Sequence, residues 1–149
     1  MAPTIHASAV LVGARAVLIR GPSGSGKSQL AFHLIARASA HPQFFTRLVG
    51  DDRVHLRAAG GRLLVRPADA LAGLIEMRGV GLLRLAYEPC AVVGLVVDLA
   101  AADAERLPQA ARRETEIDGV VLPRLAVAAN ATALPMVLAL LTSRRADQI

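Results

Sequence analysis

The chain has few of the residues that several classes of binding protein require. Aromatic residues make up 3% of its 149 residues, with no tryptophan and one tyrosine, Tyr87. Proteins that bind single-stranded nucleic acids stack bases on aromatic side chains, so this scarcity argues against a nucleic-acid partner. The single cysteine, Cys90, excludes a disulfide framework and a metal cluster built on cysteines. Because apolar residues follow it, we expect Cys90 to be a buried, inert thiol rather than a nucleophile.

Long apolar segments are also missing. The N-terminus lacks the basic region followed by an apolar stretch that marks a secretory signal. No apolar run reaches the roughly 18 residues that a membrane span requires, and the longest candidate, residues 134–141, contains Pro135. We therefore expect a soluble intracellular protein without a membrane partner.

Lysine is almost absent, which makes its one position informative. Lys27 is the only lysine, and arginine supplies the remaining positive charge of a chain with net charge +5. The lone lysine therefore indicates a functional requirement. The arginine excess suits phosphate-rich or acidic partners, but it also arises from genomic composition, and both explanations stay open. The length fits one domain, residues 1–149, and the 54% apolar content is enough for a core.

A phosphate-binding loop is predicted within residues 16–32. An aliphatic strand, residues 16–19, precedes the pattern G-x-x-x-x-G-K-[ST], and a helix follows it, which is the context that gives this pattern its meaning. The glycines let successive N–H groups point at a polyphosphate, and the helix N-terminus adds partial positive charge. The alternative is a chance match in a glycine- and serine-rich loop. The predicted nucleotide-binding residues are Gly21, Pro22, Ser23, Gly24, Ser25, Gly26, Lys27 and Ser28.

Lys27 and Ser28 have specific roles in such a loop. The lysine would reach the β- and γ-phosphates of a nucleoside triphosphate, and the serine hydroxyl would bind Mg²⁺. The loop therefore predicts binding of a nucleoside triphosphate together with Mg²⁺.

The apolar periodicity predicts more hairpins than helices. An excess of hairpins argues against a doubly wound parallel sheet, so we expect an α/β fold with a mixed β-sheet and the P-loop helix packed on one face. Helices are predicted over residues 27–38 and 132–144, with a short helix or turn over 68–74 and a helical turn over 103–107. Strands are predicted over residues 8–12, 15–20, 47–50, 53–57, 62–65, 80–85, 91–99, 114–117 and 120–125.

Two adjacent acids follow a short apolar strand. Asp51 and Asp52 stand where a Walker-B-type carboxylate holds Mg²⁺, directly or through water. Adjacent residues at a strand end point to opposite sides. One acid would then face the metal while the other accepts a proton from an incoming hydroxyl. The alternative is a solvated pair of turn acids.

Three further residues are candidates whose spacing leaves their roles open. His6 precedes the first strand. It is either an exposed surface residue without a functional role or a neighbour of the phosphates at the sheet edge. In an extended segment Glu76 and Arg78 would share a face. They form either a simple ion pair or a metal ligand beside a phosphate or protein contact. The other histidines, His33, His41 and His55, are interpreted as structural or exposed.

Together these residues resemble the catalytic domain of HPr kinase/phosphorylase. The resemblance rests on His6, the P-loop, the segment Leu-Val-Gly-Asp-Asp-Arg at residues 48–53, and Ile-Glu-Met-Arg-Gly-Val-Gly at residues 75–81. It covers about residues 5–85. It implies a P-loop kinase fold similar to that of phosphoenolpyruvate carboxykinase. The implied activity is ATP-dependent phosphorylation of a serine in a small HPr-like phosphocarrier, and the reverse phosphorolysis yields pyrophosphate.

The resemblance also implies roles for individual residues. Asp52 resembles the base, His6 its catalytic neighbour, and Lys27 a phosphate-binding residue. Ser28 and Glu76 resemble Mg²⁺ ligands, with Asp51 a water-mediated third. Arg78 and Gly79 would contact the substrate protein. The family is typically cytoplasmic and hexameric.

The sequence departs from the family pattern in three places. The chain shows no counterpart of the N-terminal regulatory domain of long members, so we expect a short, single-domain form of the family. The segment after Leu99 is compressed, and the family's catalytic arginine has its nearest match in Arg106, with Arg112 and Arg113 as competitors. The segment 122–149 lacks the family's basic, asparagine-containing motif, which bears on phosphorylase activity and hexamer assembly.

Two other functions remain open at the sequence level. A P-loop kinase of a small metabolite would need a lid segment that closes over the substrate and carries phosphate-binding arginines. Arg106, Arg112 and Arg113 would supply them. A non-catalytic nucleotide-sensing module would bind ATP and transfer nothing.

Overall fold

A computed structural model describes residues 3–147 and contains, within them, ten strands and two α-helices. Two short 3₁₀ turns, Asp69–Leu71 and Ala110–Arg113, lie between strands. The strands are β1 (Ile5–Val12), β2 (Arg15–Arg20), β3 (Thr46–Gly50), β4 (Arg53–Ala59), β5 (Arg62–Pro67), β6 (Leu74–Met77), β7 (Gly81–Arg84), β8 (Ala91–Asp98), β9 (Glu114–Ile117) and β10 (Val120–Ala126), and the helices are α1 (Lys27–Ala38) and α2 (Ala133–Thr142).

The main sheet is mixed, as predicted. β8 runs parallel to β2 and to β10, whereas the pairs β1–β2, β4–β5 and β9–β10 are antiparallel. β1 also pairs with β3 and β4, and β5 pairs with β8. The pairings β2–β1–β4–β5–β8–β2 therefore form a closed circuit, while β6 and β7 make a separate two-stranded hairpin.

Both faces of the central strands are buried, which explains their continuous apolar sequences. In β2, Val17 and Ile19 belong to a core shared with the two helices, and Ala16 and Leu18 belong to a second core on the other face. All four side chains are at most 1% exposed. Successive side chains of β2 thus point to opposite faces of the sheet and contribute to two different cores.

The helix after the P-loop has the predicted bounds. α1 begins after Gly26, whose φ of +96° is accessible to glycine at no steric cost. Its buried residues, Leu30, Ala31, Leu34 and Ala38, recur at the spacing of one helical face and join the core that contains Val17 and Ile19.

Several predicted details are wrong. Cys90 is exposed, because it lies between the bend at Pro89 and the start of β8, and burial begins only at Ala91. Residues 103–107 form no helical turn. His6 lies inside β1 rather than before it, opposite Arg53 of β4. In the part of the chain that the structure describes, no helix is long and apolar enough to cross a bilayer.

Candidate active site

The P-loop connects β2 to α1 through a tight turn. The Ser25 N–H donates to the Pro22 carbonyl at 3.1 Å. A Cβ at Gly21 would lie 2.6 Å from Ser25 Oγ and 3.1 Å from Leu99 Cβ, so this position has no room for a side chain. Ser25 Oγ is itself buried and has no hydrogen-bond partner within residues 3–147. A buried hydroxyl left unpaired is costly, and here it marks a loop suited to a bound acceptor such as a phosphate oxygen.

Lys27 curls back along the loop. Its Nζ donates to the Gly21 carbonyl at 2.8 Å and to the Pro22 carbonyl at 3.0 Å. The ammonium group therefore lies beside the first residues of the loop, although Lys27 itself follows the loop as the first residue of α1. An anion bound to the loop amides would compete for this ammonium, since a charged acceptor makes the stronger hydrogen bond.

Asp51 joins four elements of the fold. Its side chain is 3% exposed, and its Oδ1 accepts from Ser28 Oγ at 2.7 Å and from Ser8 Oγ at 2.6 Å. The backbone N–H of Glu76 lies 3.4 Å from Oδ2. The carboxylate thus ties β1, α1 and β6 to the end of β3. With its proton donated to Asp51, the Ser28 oxygen keeps its lone pairs for another ligand.

Ser8 is a site residue that sequence reasoning missed. It is fully buried in β1, and its hydroxyl reaches Asp51 across 43 positions of sequence. A signal was present, because Ser8 is the only polar residue in the run Ala-Ser-Ala-Val-Leu-Val. A polar side chain buried in such a strand must find a hydrogen-bond partner.

The two adjacent acids have different environments, as expected, but a tight turn rather than strand alternation separates them. The Arg53 N–H donates to the Asp51 carbonyl at 2.7 Å, and the intervening Asp52 has φ +67°. This three-residue turn buries Asp51 and leaves the Asp52 side chain 66% exposed. Such a conformation costs a non-glycine residue of order 1–3 kcal/mol and is often found at functional sites.

His6 lies next to Asp52. Its Nδ1 is 3.7 Å from Asp52 Oδ1, and its Nε2 is 2.8 Å from Arg53 Nη2. Because a guanidinium only donates hydrogen bonds, Nε2 must be the acceptor. The proton of a neutral imidazole then resides on Nδ1, the nitrogen that faces the Asp52 carboxylate.

Glu76 and Arg78 do not share a strand face, so that prediction is wrong. β6 ends at Met77, and a turn closed by the Val80 N–H and the Met77 carbonyl at 2.9 Å contains Arg78 and Gly79. The backbone of Glu76 adjoins Asp51, and its side chain is exposed. Arg78 and Gly79 are exposed at the tip of the hairpin.

The candidate arginines have different surroundings. Within residues 3–147, Arg106 makes no hydrogen bond or ion pair. Arg112 contacts Glu105 and the Asp103 carbonyl at 3.3 Å each, and Arg113 donates to Asp147 at 2.9 Å. None of these contacts involves the P-loop or the acid pair.

Two arginines that sequence reasoning missed lie at the strand ends beside the loop. Arg20, the last residue of β2, donates to Asp98 at 2.7 Å and 2.9 Å. Arg124 donates to Asp98 at 2.6 Å and to Asp103 at 2.8 Å and 3.0 Å. Arg20 and Asp98 are direct partners in the β2–β8 ladder. The signal was an opposite charge closing each of two apolar strands, which pairs them across the ladder.

This cluster has shifted pKa values. Burial raises the pKa of Asp98, but the hydrogen bonds from Arg20 and Arg124 together lower it by more, so the net pKa is below the ordinary value. The hydrogen bond from Arg124 lowers the pKa of Asp103. Outside this cluster, the hydrogen bond from Arg113 lowers the pKa of Asp147. The hydrogen bond to Asp103 raises the pKa of Arg124. The positive charges of Arg20 and Arg124 are therefore balanced by the carboxylates of Asp98 and Asp103.

The donor set fits a magnesium ion shared with phosphate. Mg²⁺ in nucleotide enzymes takes one or two carboxylates or hydroxyls from the protein and completes its shell with phosphate oxygens and water. Ser28 and Asp51 supply such oxygens within 2.7 Å of each other. No group of three or more His, Cys, Asp or Glu side chains among residues 3–147 is placed to hold a metal. The protein side of the site is therefore suited to Mg²⁺ bound together with a nucleotide.

Comparisons of the sequence with known proteins all identify the same family. Residues 1–133 match the family model described as HPr Serine kinase C-terminal domain. The chain is similar to HPr kinase/phosphorylase of Streptococcus thermophilus, with 41% identity over 81 residues, 54% of this chain and 24% of that protein. It is 34% identical over 136 residues to HPr kinase/phosphorylase of Streptococcus pneumoniae, which covers 83% of this chain and 41% of that protein. The chain therefore spans less than half the length of these relatives.

A solved structure shares the fold. The Hpr(Ser) kinase/phosphatase from Coxiella burnetii superimposes with a TM-score of 0.72 at 24% identity, over 93% of each chain. The likeness in three dimensions thus extends beyond the segment that carries the sequence motifs.

Proposed function

The chain belongs to the HPr serine kinase C-terminal domain family, and from this membership we propose that it is an ATP-dependent protein-serine kinase acting on an HPr-like phosphocarrier protein. The observation that carries the proposal is the Ser28–Asp51 hydrogen bond, which joins the P-loop to an acid pair. The next residue, Asp52, is exposed beside His6. A phosphate site and an accessible base would thus adjoin one another, as transfer to a hydroxyl requires.

The proposed nucleotide site is the loop from Gly21 to Ser28. Its amides and Lys27 would hold the β- and γ-phosphates of ATP, with the ammonium moving from the Gly21 and Pro22 carbonyls to the phosphates. Ser28 and Glu76 are proposed as Mg²⁺ ligands, and Asp51 as a ligand through water. Bound there, Mg²⁺ would neutralise charge on the phosphate oxygens.

The proposed chemistry needs one base. Asp52 accepts the proton of the substrate serine while that oxygen attacks the terminal phosphorus of ATP. The bond to the bridging oxygen breaks, and ADP leaves with its electron pair. His6, with its Nδ1 proton toward Asp52, orients the carboxylate. Of the arginines, Arg106 has a guanidinium without a protein partner in the described chain, which supports it over Arg112 and Arg113 for charge stabilisation.

The reverse reaction would use the same groups. An oxygen of inorganic phosphate attacks the phosphoserine phosphorus, the bond to the serine oxygen breaks, and pyrophosphate forms. Asp52, protonated in this direction, returns its proton to the leaving serine oxygen. Microscopic reversibility requires the same residue in both roles.

The proposal extends to the organisation of the protein. Residues 1–149 would form one catalytic domain with α1 packed on one face of the mixed sheet, and the buried face of α1 supports this. Arg78 and Gly79, at the exposed hairpin tip, would contact the phosphocarrier. By resemblance to its family, the enzyme would be cytoplasmic and hexameric.

One experiment separates the proposed function from its two rivals. The protein is incubated with γ-labelled ATP, Mg²⁺ and a purified HPr-like phosphocarrier, and the products are resolved by mass. A label localised to one serine of the phosphocarrier supports the proposal. In a parallel incubation, a small-molecule cell extract replaces the phosphocarrier, and a labelled small molecule there would instead identify a metabolite kinase. ATP binding without transfer in either incubation would identify a sensing module.

A further inference from the structure

A cavity of about 400 Å³ opens beside the first residues of β2, at the end of that strand that is far from the P-loop. Its walls also include the starts of β5 and β10, the amino half of β8 and the last turn of α2. A strand rises about 3.3 Å per residue, so Arg15 at the start of β2 lies about 17 Å from Arg20 at its end. No residue from Gly21 to Ser28 lines the cavity. It is therefore separate from the proposed nucleotide site.

The cavity forms where β8 changes its neighbouring strand. β8 pairs with β5 at residues 91–92 and with β10 at residues 96–98. Residues 93–95 lie between these two pairings, and they line the cavity together with residues 61–63 and 120–123. The cavity therefore follows from the strand arrangement, because β5 and β10 approach β8 at opposite ends of this stretch.

A bulge in β8 accommodates Arg15 at the cavity wall. The register with β2 shifts between Val93 and Leu95, so Gly94 is an extra residue on β8. A Cβ on Gly94 would lie 2.7 Å from the Cβ of Arg15 and 3.2 Å from its Cδ. The aliphatic part of Arg15 therefore packs directly on the glycine backbone, which leaves its guanidinium beyond the bulge. Bulges are over-represented beside functional sites, and a glycine within a strand often marks a close approach.

The lining is apolar apart from two arginines, Arg15 and Arg62. The other described residues around the cavity are valine, leucine, alanine, proline and glycine, and several of them, such as Leu63, Val93 and Leu122, are buried. Both arginines are exposed, and within residues 3–147 neither makes an ion pair or a side-chain hydrogen bond. An apolar cavity with unpaired positive charge at its wall is suited to a ligand with an apolar body and an anionic group.

A carboxylate suits this wall better than a phosphate group. A guanidinium presents a planar set of donors that matches a carboxylate in a bidentate pair. A carboxylate carries a single charge, whereas a phosphate group carries about 1.5–2 and costs more to remove from water beside apolar residues. The balance of two arginines against a large apolar surface therefore favours a single carboxylate.

We propose that this cavity is a second ligand site, which binds a small amphipathic carboxylate. The apolar body of the ligand lies against the starts of β5 and β10 and the amino half of β8, and its carboxylate pairs with Arg15 and Arg62. Fatty acids of medium length and compact aromatic acids share this chemistry. The inference goes beyond the proposed kinase activity and does not depend on it. Because the cavity is remote from the P-loop, the carboxylate and a nucleotide bind at the same time.

The test titrates the full chain with octanoate and with 3-phenylpropanoate, each beside its uncharged amide. Calorimetry measures the affinities, and NMR of isotope-labelled valine and leucine methyl groups locates the bound molecule. We expect saturable binding of at least one carboxylate, about fivefold or more tighter than binding of its amide. The methyl signals that shift should be those of the lining residues, such as Leu63, Val93 and Leu122. Preference for octanoate would indicate a fatty acid as the ligand, and preference for 3-phenylpropanoate a compact aromatic acid.

A double variant tests the role of the two arginines. Arg15→Gln combined with Arg62→Gln removes both positive charges at exposed positions and keeps most of each side chain. We expect carboxylate binding to weaken about fivefold or more and amide binding to change by less than about twofold. Arg57→Gln is the matched control, because Arg57 is an exposed arginine on β4 outside the cavity. It should change neither affinity.

Four results would overturn the inference. They are the absence of saturable binding by either carboxylate, equal affinity for a carboxylate and its amide, methyl shifts confined to residues outside the cavity, and equal effects of the double variant and Arg57→Gln. Competition between ATP and the carboxylate would also overturn it, because the two sites would then not be separate. Labelling of a phosphocarrier is measured independently, so failure of the kinase assignment would leave this ligand site standing.

Discussion

Individual hydroxyl and carboxyl groups decide the chemistry of this site. Asp51 and Asp52 are neighbours in sequence, yet one accepts hydrogen bonds from two buried or half-buried serines and the other is exposed beside an imidazole. A bound metal needs a fixed oxygen ligand, whereas a base must be reachable by a substrate hydroxyl. The positive φ of Asp52 produces this division within two residues.

The base assignment predicts a selective loss of activity. Asp52→Asn removes the proton acceptor while keeping the size of the side chain, and asparagine tolerates the positive φ. We expect ATP affinity to stay within about twofold and serine phosphorylation to fall by about 10²–10⁴. Transfer is followed with labelled ATP and binding by calorimetry. Asp118→Asn is the control, since Asp118 is an exposed aspartate with φ +50° in a remote turn. Unchanged transfer would remove Asp52 from this role.

The buried serine also has a measurable effect. Ser8→Ala removes one donor from Asp51 and should cost about 1–3 kcal/mol of unfolding free energy. Asp51 would then hold Ser28 less rigidly, so we expect the gain in ATP affinity on adding Mg²⁺ to shrink while affinity in EDTA is unchanged. Calorimetry with and without EDTA measures both. Ser39→Ala, which removes an exposed serine hydroxyl bonded to the Ala36 carbonyl, is the control. Equal losses in Mg²⁺ and EDTA would contradict a role in the metal site.

Among the elements, α1 has two roles that are carried by different residues along its length. Its first turn carries Lys27 and Ser28, which belong to the proposed phosphate site, while the buried face beginning at Leu30 packs into the core. The position of the loop therefore depends on packing several residues away from it. Rigid elements hold functional groups more accurately than loops do.

This division predicts a stability cost without a chemical defect. Leu34 is fully buried, so Leu34→Ala should lower the unfolding free energy by about 2–5 kcal/mol. Leu82→Ala, at a leucine 65% exposed on β7, should change it by less than about 0.5 kcal/mol. Urea denaturation followed by circular dichroism compares the two. Similar values for both variants would show that α1 does not depend on this core.

In the whole molecule, the Asp98 cluster connects three strands that the chain reaches far apart in sequence. Arg20, Asp98 and Arg124 end or nearly end β2, β8 and β10, and the Asp98 side chain is 16% exposed. The parallel pairing of β8 with both β2 and β10 brings these ends together, and the P-loop follows directly after Arg20. An ion cluster at that point fixes the edge on which the site is built.

The lowered pKa of Asp98 predicts a pH-dependent contribution to stability. Because the folded pKa is below the unfolded value of about 3.9, the stabilisation is complete above that value and is lost as pH falls through the folded pKa. Asp98→Asn should therefore cost about 1.5–3 kcal/mol at pH 7. The difference from the unaltered protein should narrow below about pH 4. Thermal denaturation at pH 7, 5 and 3 measures it, with exposed Asp69→Asn as control. A constant difference across this range would contradict the ion-pair role.

The sequence alone determined the local features of this protein. The P-loop pattern, the bounds of α1 and the hairpins β1–β2, β4–β5 and β9–β10 follow from residue spacing, because backbone propensity and periodicity act over a few residues. The family signature was also readable, since its parts keep their order along the chain. A short stretch of sequence does not show which residue from a distant part of the chain will lie beside it in the folded protein.

Only the tertiary structure decided the contacts between distant segments. Ser8 meets Asp51 across 43 positions and Arg20 meets Asp98 across 78, and Cys90 is exposed although apolar residues follow it. The turn at Arg78 likewise depends on how β6 pairs with β7. A side chain's partner and burial depend on which strands the closed sheet brings side by side. That arrangement is a property of the whole packed core, so no short window of sequence contains it.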